Sequence, residues 1–128
     1  MKTLVLSIGK TPFRLTAMII QAGKDIQICL GGGVSPHIGS VAISQPRPSL
    51  KNPDQISCTT SVINFPGHKD DRPAVLFSEG FCKRYNCLTV VSAGIHIDDA
   101  DPQQIERIMN LAEKLLEGSL EKWHHMPI

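Results

Sequence analysis

The sequence predicts an α+β protein, a two-layer sandwich in which a mostly antiparallel sheet carries two helices on one face. Short segments rich in β-branched and alternating apolar residues occupy the chain up to Asn64 and are separated by Gly, Pro, Asn and Asp. Apolar residues at helical spacing appear only after Pro66. The length of 128 residues suits one domain that spans residues 1–128.

Four strands are predicted before the first helix. Phe13–Gln21 and Ile26–Leu30 form a hairpin across the turn Ala22–Asp25. The third strand is predicted at Ile38–Ser44 and the fourth at Gln55–Asn64. The predicted order of the whole chain is β-β-β-β-α-β-α.

A helix and a buried strand follow. Ala74–Tyr85 carries apolar residues at helical spacing, and Asn86 can end that helix in the left-handed region. Gly80 inside it costs about 1 kcal/mol relative to alanine. The nearly continuous apolar run Cys87–Ile97 predicts an interior strand.

The last helix has the clearest local signals. Asp101 can cap it, Pro102 suits its first turn, and Gln104 completes a capping box with Asp101. Gly118 is the predicted end. The apolar stripe that begins at Ile105 is wide enough to dock on a sheet.

Charge and composition exclude several classes of function. Thirteen basic against twelve acidic residues leave a formal net charge of +1, which argues against nucleic-acid binding. No apolar run is long enough to cross a bilayer, and the apolar stretch at the N-terminus is too short for a signal peptide, so we expect a cytoplasmic protein. The four cysteines lack metal-clip spacing and suit a reducing compartment.

Three predicted loops each place a histidine near a glycine. In the first, Gly31, Gly32 and Gly33 precede His37. Consecutive glycines suit positive φ angles or a close approach of a ligand to the main chain, whose amides can hold a phosphate. A flexible hairpin loop explains the same residues equally well, since no GxGxxG pattern and no helix follows.

The second loop, Pro66–Asp71, precedes the first predicted helix. His68 and Lys69 lie where the N–H groups of that helix favour an anion, and Lys69 would add a positive charge. A solvated loop capped by Asp71 is the simpler alternative.

The third loop begins at Gly94 and contains His96 and Asp98. These two residues lie two positions apart, so on a continuing strand they point to the same face. Such a pair can bind a metal, transfer protons or fix the tautomer of the imidazole. A polar strand end exposed to solvent is the alternative.

A metal site follows if the three loops lie at the same edge of the sheet. Three imidazoles and one carboxylate would then hold a divalent ion with open positions, from His37, His68, His96 and Asp98. No serine or cysteine lies in a motif typical of covalent catalysis, and no catalytic residue is predicted. Arg14 and Arg47 could contact an acidic group of a ligand, but a surface charge is the simpler interpretation of each.

The three motifs together resemble the small LpdD-like proteins that are associated with UbiD-type decarboxylases. The resemblance rests on the following residues, in order: Gly31-Gly32-Gly33, Pro36-His37-Ile38-Gly39, Val41, Gly67-His68-Lys69, Gly94-Ile95-His96, Asp98 and Ala100. It covers the chain from about Phe13 to the last helix.

The resemblance implies a chaperone rather than an enzyme. Such a protein binds reduced prenylated flavin mononucleotide (FMN) and delivers or matures it for a UbiD-type decarboxylase acting on aromatic acids. Carried over by position, the cofactor-binding candidates are Gly31, Gly32, Gly33, His37, His68 and Lys69. Of these, Gly31–Gly33 and the loop of His68 and Lys69 would bind the flavin phosphate. His37, His96 and Asp98 would hold a metal or make a polar contact to the cofactor, and His68 completes the set of metal candidates.

Two further expectations accompany this interpretation. With few aromatic residues to enclose a flavin, the pocket is expected to be shared between subunits of a homo-oligomer, a dimer or larger. The alternative function is a small metal-dependent enzyme, a decarboxylase or hydrolase, that uses the His and Asp residues to activate water or polarise a carbonyl.

Overall fold

The computed structural model describes residues 1–66 and 71–127 and confirms the α+β class. Six strands and two helices follow one another in the order β-β-β-β-β-α-β-α. Their bounds are β1 Thr3–Ile8, β2 Leu15–Ala22, β3 Asp25–Gly33, β4 Ser40–Pro48, β5 Ile56–Asn64, α1 Asp71–Tyr85, β6 Thr89–His96 and α2 Pro102–His125.

The strand count corrects the prediction, which placed four strands before the first helix. Thr3–Ile8 forms an additional edge strand, antiparallel to β2. Its residues alternate in the way that an edge strand requires, because Leu4 and Leu6 pack against the core while Thr3 and Val5 are exposed.

The sheet is mostly antiparallel, as predicted, with the spatial order β1-β2-β3-β6-β4-β5. The β3–β6 pair alone is parallel among the strand pairs of the described residues. Strand β6 is interior, since it returns from α1 to lie between β3 and β4. The strand directions therefore place the carboxyl ends of β3, β5 and β6 at the same end of the sheet.

Both helices cover one face of the sheet. Helix α1 packs on β4, β5 and β6, and α2 packs on β1 and β2. The two helices touch where a Cβ atom at Gly80 would come within 2.9 Å of Leu116 Cδ2, so this glycine permits the close approach. The largest fully buried side chains of the core are Phe77, Phe81, Leu15, Ile19, Ile28, Leu30, Leu115 and Val91.

The predicted ends of the helices are partly confirmed. Asn86, at φ 50°, follows α1 as predicted. The capping box of α2 is present, because the Asp101 side chain accepts from the Gln104 amide at 2.8 Å and Gln104 Oε1 accepts from the Asp101 amide at 2.9 Å. Gly118, however, does not end α2.

Helix α2 continues to His125 because its last turns carry core residues. Trp123 is only 4% exposed and packs against Phe81, with 6.4 Å between ring centroids. The burial of an indole is worth several times the cost of about 1 kcal/mol that a glycine imposes on a helix. Among the described residues, neither helix is long and apolar enough to cross a membrane.

Candidate functional site

The first and third predicted loops meet at one end of the sheet, beside the end of β5. The amide of Gly39 donates to the Ala93 carbonyl at 2.9 Å, which joins the first loop to β6. The amide of Phe65 donates to the Gly39 carbonyl at 3.0 Å, so the chain leaves β5 beside the same point. The second loop therefore starts here, although His68 and Lys69 lie outside the described residues.

The first loop folds back over the face of the sheet that the helices leave open. A Cβ atom at Gly94 would overlap the carbonyl oxygen of His37, and one at Gly31 would lie 3.3 Å from Pro36 Cβ. Only glycine at position 94 allows the His37 backbone to lie directly on β6. Gly94 therefore determines how closely the His37 backbone approaches the sheet.

Two histidines are neighbours as a result. The ring centroids of His37 and His96 are 6.4 Å apart, and the ring planes meet at 72°. His96 Nε2 lies 2.8 Å from Asp98 Oδ1, so this imidazole and carboxylate converge as their spacing suggested. His37 Nδ1 donates to the Ser35 carbonyl at 2.9 Å, which fixes the tautomer of a neutral ring.

A complete metal site is not present in the described residues. Within ranges 1–66 and 71–127, no group of three or more His, Cys, Asp and Glu side chains could hold an ion. His37, His96 and Asp98 come together at the same end of the sheet, but the fourth predicted ligand, His68, falls in the segment outside these ranges.

The three consecutive glycines differ from the prediction, because they are the last residues of β3 rather than a connection. Gly31 pairs with Thr16 and Gly94, in the middle of the sheet. The Gly33 amide donates to the Arg14 carbonyl at 3.0 Å, so this N–H is engaged in the sheet. Gly33 also has a φ of 72°, which confirms the expectation of positive φ.

A pocket of about 370 Å³ lies on the open face beside these glycines. It is lined by Thr11, Arg14, Thr16, Met18, Cys29, Gly31, Gly32, Gly33 and Pro36. Arg14 is the charged side chain among these lining residues, and no carboxylate lies among them. The glycines form a floor without side chains, and Met18 and Pro36 supply apolar walls.

For Arg14, the sequence analysis favoured a surface charge over a contact with a ligand. A signal was available in the strand alternation, since Arg14, Thr16 and Met18 share the parity that points away from the core. What the sequence analysis missed was the continuation of β3 through the glycines, which brings Arg14 opposite Gly33.

The buried thiols lie on the helix side of the sheet and have raised pKa values. Burial raises the pKa of the Cys82 thiol from 9.0 to about 12, and nearby Cys58 and Cys87 add to the rise. Burial also raises the pKa of Cys87 and of the Tyr85 phenol. The Tyr85 hydroxyl donates to the Leu120 carbonyl at 2.9 Å, which ties α1 to α2. These groups stabilise the core.

Comparison with solved structures supports the fold. The chain is similar to a protein in the crystal structure of a novel chaperone complex for yeast 20S proteasome assembly, with 18% sequence identity and a TM-score of 0.50. The alignment covers 91% of this chain and 92% of that chain. At this identity the likeness shows the fold alone. No curated protein matches the sequence.

A family match extends over nearly the whole chain. The model of the prenylated flavin chaperone LpdD-like domain matches residues 9–124 of the 128 residues. The matched range includes the pocket beside Arg14 and the loop residues His37, His96 and Asp98. The protein therefore belongs to the prenylated flavin chaperone LpdD-like family.

Proposed function

We propose that this protein, acting as one domain over its whole length, binds reduced prenylated FMN. It then delivers the cofactor to a UbiD-type decarboxylase of aromatic acids, or matures it for that enzyme. The family supports the cargo in general, and the decarboxylase as partner is our proposal. In this role the protein is a carrier in the cytoplasm and performs no turnover of its own.

The observation that carries the proposal is the pocket at the glycine end of β3. Its volume of about 370 Å³ falls at the lower end of the range of small-molecule sites. It combines one cationic side chain with apolar walls, which is the pairing that a phosphorylated, flat, largely apolar cofactor requires. We assign the phosphate to Arg14, whose planar guanidinium can make two parallel hydrogen bonds to it.

The glycines would contribute shape rather than charge. Gly31, Gly32 and Gly33 line the pocket through backbone atoms alone, since the space that a Cβ atom would need at these positions is taken by Pro36, Leu15 and His96. The Gly33 amide is already bonded to Arg14, and we therefore expect the phosphate to bind beside these residues through the side chain of Arg14.

The loop residues remain candidates for the other end of the cofactor. His37 follows Pro36, which lines the pocket, so its imidazole can reach a polar group of a bound flavin. His68 and Lys69 follow β5 in sequence, and β5 finishes at the end of the sheet where β3 and β6 also finish. We propose that Lys69 adds a second positive charge to the phosphate.

The direct test is a binding experiment under anaerobic conditions. Purified protein is mixed with reduced prenylated FMN, and the stoichiometry and affinity are measured by calorimetry and by the flavin absorbance. We expect a stoichiometric complex that transfers its flavin to an apo-decarboxylase. Absence of any complex, with the protein shown to be folded by circular dichroism, would remove the proposal.

A matched pair of variants tests the assigned phosphate contact. Arg14→Gln removes the cation from the pocket, and Arg84→Gln removes an exposed cation near the end of α1. Loss of a charged hydrogen-bonding partner predicts at least about a tenfold weaker binding for Arg14→Gln. Arg84→Gln should bind as the unaltered protein does. Equal affinities for both variants would show that Arg14 does not bind the phosphate.

A metal-dependent enzyme is the second candidate function. The observation in its favour is the contact of His96 with Asp98, with the ring of His37 near by. His68 would have to complete the ligand set. A bound divalent ion would polarise a carbonyl or activate water for hydrolysis or decarboxylation.

Elemental analysis separates the two functions. The enzyme requires stoichiometric metal after mild purification, a lower metal content in His96→Ala and His37→Ala, and turnover without a partner protein. Metal-free protein that binds the flavin and transfers it would exclude the enzyme and support the chaperone.

A further inference from the structure

Two cysteines outside the candidate site lie where helix α1 packs on the edge strand β5. Cys58, on β5, is half-buried, and Cys82, on α1, is fully buried. Neither cysteine lines the pocket beside Arg14, so the proposed function leaves both thiols without a role. Their position relative to each other follows from the contacts between the helix and the strand.

One hydrogen bond fixes how α1 lies against β5. Thr60 Oγ1 donates to Glu79 Oε2 at 2.7 Å, so these two residues are opposite each other. Helix α1 leads from the end of β5 to the start of β6, and it therefore runs in the direction opposite to β5. Cys58 precedes Thr60 by two residues on the same face of the strand, and Cys82 follows Glu79 by three residues on the same side of the helix. These spacings bring Cys58 opposite Cys82.

The two thiols also interact directly. Cys58 Sγ lies 3.8 Å from Thr60 Oγ1, which places the sulfur on the side of β5 that faces the helix. Burial raises the pKa of the Cys82 thiol, and both the charge of Cys58 and a hydrogen bond with its thiol add to the rise. A hydrogen bond between thiols requires neighbouring sulfur atoms. Small rotations of the two side chains then bring the sulfur atoms to bonding distance.

We propose that Cys58 and Cys82 are a site of reversible oxidation, at which hydrogen peroxide forms a disulfide between α1 and β5. Cys58 reacts first, because its thiol is partly exposed whereas that of Cys82 is not. Peroxide oxidises Cys58 to a sulfenic acid and releases one water molecule. The sulfur of Cys82 then bonds to the sulfur of Cys58, and the sulfenic hydroxyl leaves with the Cys82 proton as a second water molecule. The two sulfur atoms together lose two electrons, which the peroxide accepts.

The remaining cysteines are placed less well for this reaction. Cys29 lies on the open face, with the sheet between it and the helices. Cys87 is only 2% exposed, and its thiol contacts Thr89 Oγ1 at 3.6 Å. It acts on the pKa of Cys82 through its charge and not through a hydrogen bond. Cys58 is therefore the partner that the structure provides for Cys82.

The disulfide would have two connections with the proposed cargo. It closes a ring of residues 58–82, which contains His68 and Lys69, so the two ends of the segment assigned to the phosphate would be covalently joined. A reduced flavin that reacts with oxygen yields hydrogen peroxide, so the cargo is itself a source of the oxidant. Both connections rest on the proposed function, whereas the disulfide does not.

The test treats the reduced, flavin-free protein with a small molar excess of hydrogen peroxide. Remaining free thiols are alkylated, and the intact mass is measured after denaturation without a reductant. We expect a product in which two thiols escape alkylation and two hydrogen atoms are lost. A tryptic digest should link the peptide of residues 52–69 to that of residues 70–83, and dithiothreitol should separate the two peptides.

Two serine variants complete the test. Cys58→Ser replaces a half-buried thiol with a group of similar size, and it should abolish the cross-link. Cys29→Ser makes the same change on the open face, and it should form the cross-link to the same extent as the unaltered protein. Circular dichroism before treatment shows that both variants are folded.

Three results would overturn the proposal. One is oxidation of Cys58 to a sulfinic or sulfonic acid, or no oxidation of it at all, without any cross-link in the unaltered protein. Another is a disulfide that joins Cys82 to Cys87 or to a cysteine of another molecule. The third is a cross-link of Cys82 that persists in Cys58→Ser. No flavin enters this test, so its failure contradicts the disulfide and not the proposed function.

Discussion

The two faces of the sheet are built from the same strands and differ in almost every physical respect. On β2, Ile19 points to the helices and is fully buried, while its neighbour Met18 points away and is 43% exposed. The helix face carries the large apolar residues of the core. The open face carries small, polar and scattered apolar residues but almost no charge.

This difference shows that alternation along one strand identifies the buried face of a sheet but does not describe the composition of the opposite face. The helix face is recognised by periodicity of two. The low charge of the open face is recognised only when the side chains of all six strands are considered together. The candidate pocket lies on this second face.

The largest expected effect separates the neighbours Ile19 and Met18. Ile19→Ala should lower the free energy of unfolding by about 2–5 kcal/mol, because it leaves a cavity under the helices. Met18→Ala should cost less than about 1 kcal/mol, because this side chain is 43% exposed. Urea denaturation measures both. Equal losses would contradict the assignment of the two faces.

The next effect concerns two glycines in different environments. Gly94→Ala should destabilise by about 2 kcal/mol or more, because the added Cβ overlaps the His37 carbonyl and displaces the loop over the open face. In Gly118→Ala the Cβ would lie 3.4 Å from Leu6 Cδ2 inside α2, and stability should rise by up to about 1 kcal/mol. Thermal unfolding reports both signs, and a neutral Gly94→Ala would show that the loop is not held on β6.

A smaller effect is expected at alkaline pH, from the helix side of the sheet. The folded protein keeps the Cys82 thiol protonated between pH 9.0 and about 12, where the unfolded chain ionises it. This contribution to stability is complete below pH 9.0 and is lost as pH rises through that window. Cys82→Ala should show a shallower decline of Tm over the same window. Identical slopes for the two proteins would contradict the raised pKa.

Thiol labelling compares the faces without a change in stability. Cys29 is on the open face, and Cys82 and Cys87 are buried beneath the helices. In the native protein a maleimide should leave Cys82 and Cys87 unmodified. Cys29 is exposed and should react quickly, as read by intact mass. Modification of Cys82 or Cys87 as fast as that of Cys29 would contradict the assignment of the two faces.

Much of the fold was predictable, for reasons that differ between elements. The capping box of α2 involves atoms within three residues, so sequence alone located it. The interior position of β6 followed from its apolar run. The helix end was misplaced at Gly118 because the burial of Trp123, which holds the last turns in place, depends on contact with α1.

The candidate site was predictable only in part. Sequence singled out His37, His96 and Asp98, and the structure brings them together. It did not single out Arg14, because a lone arginine beside a strand carries no local signal of a ligand. Nor could it show that the glycines end a strand, since their place depends on pairing with β6, which is distant along the chain.

By itself the sequence determined the class of fold, the helix start at Asp101 and the residues of the loops, because these depend on local spacing and on the alternation of apolar side chains. Tertiary structure decided the order of the strands, the end of the sheet at which the loops gather, and the pocket beside Arg14. Each of these arises from hydrogen bonds between segments far apart in sequence, and no local pattern specifies which distant strand will be the partner.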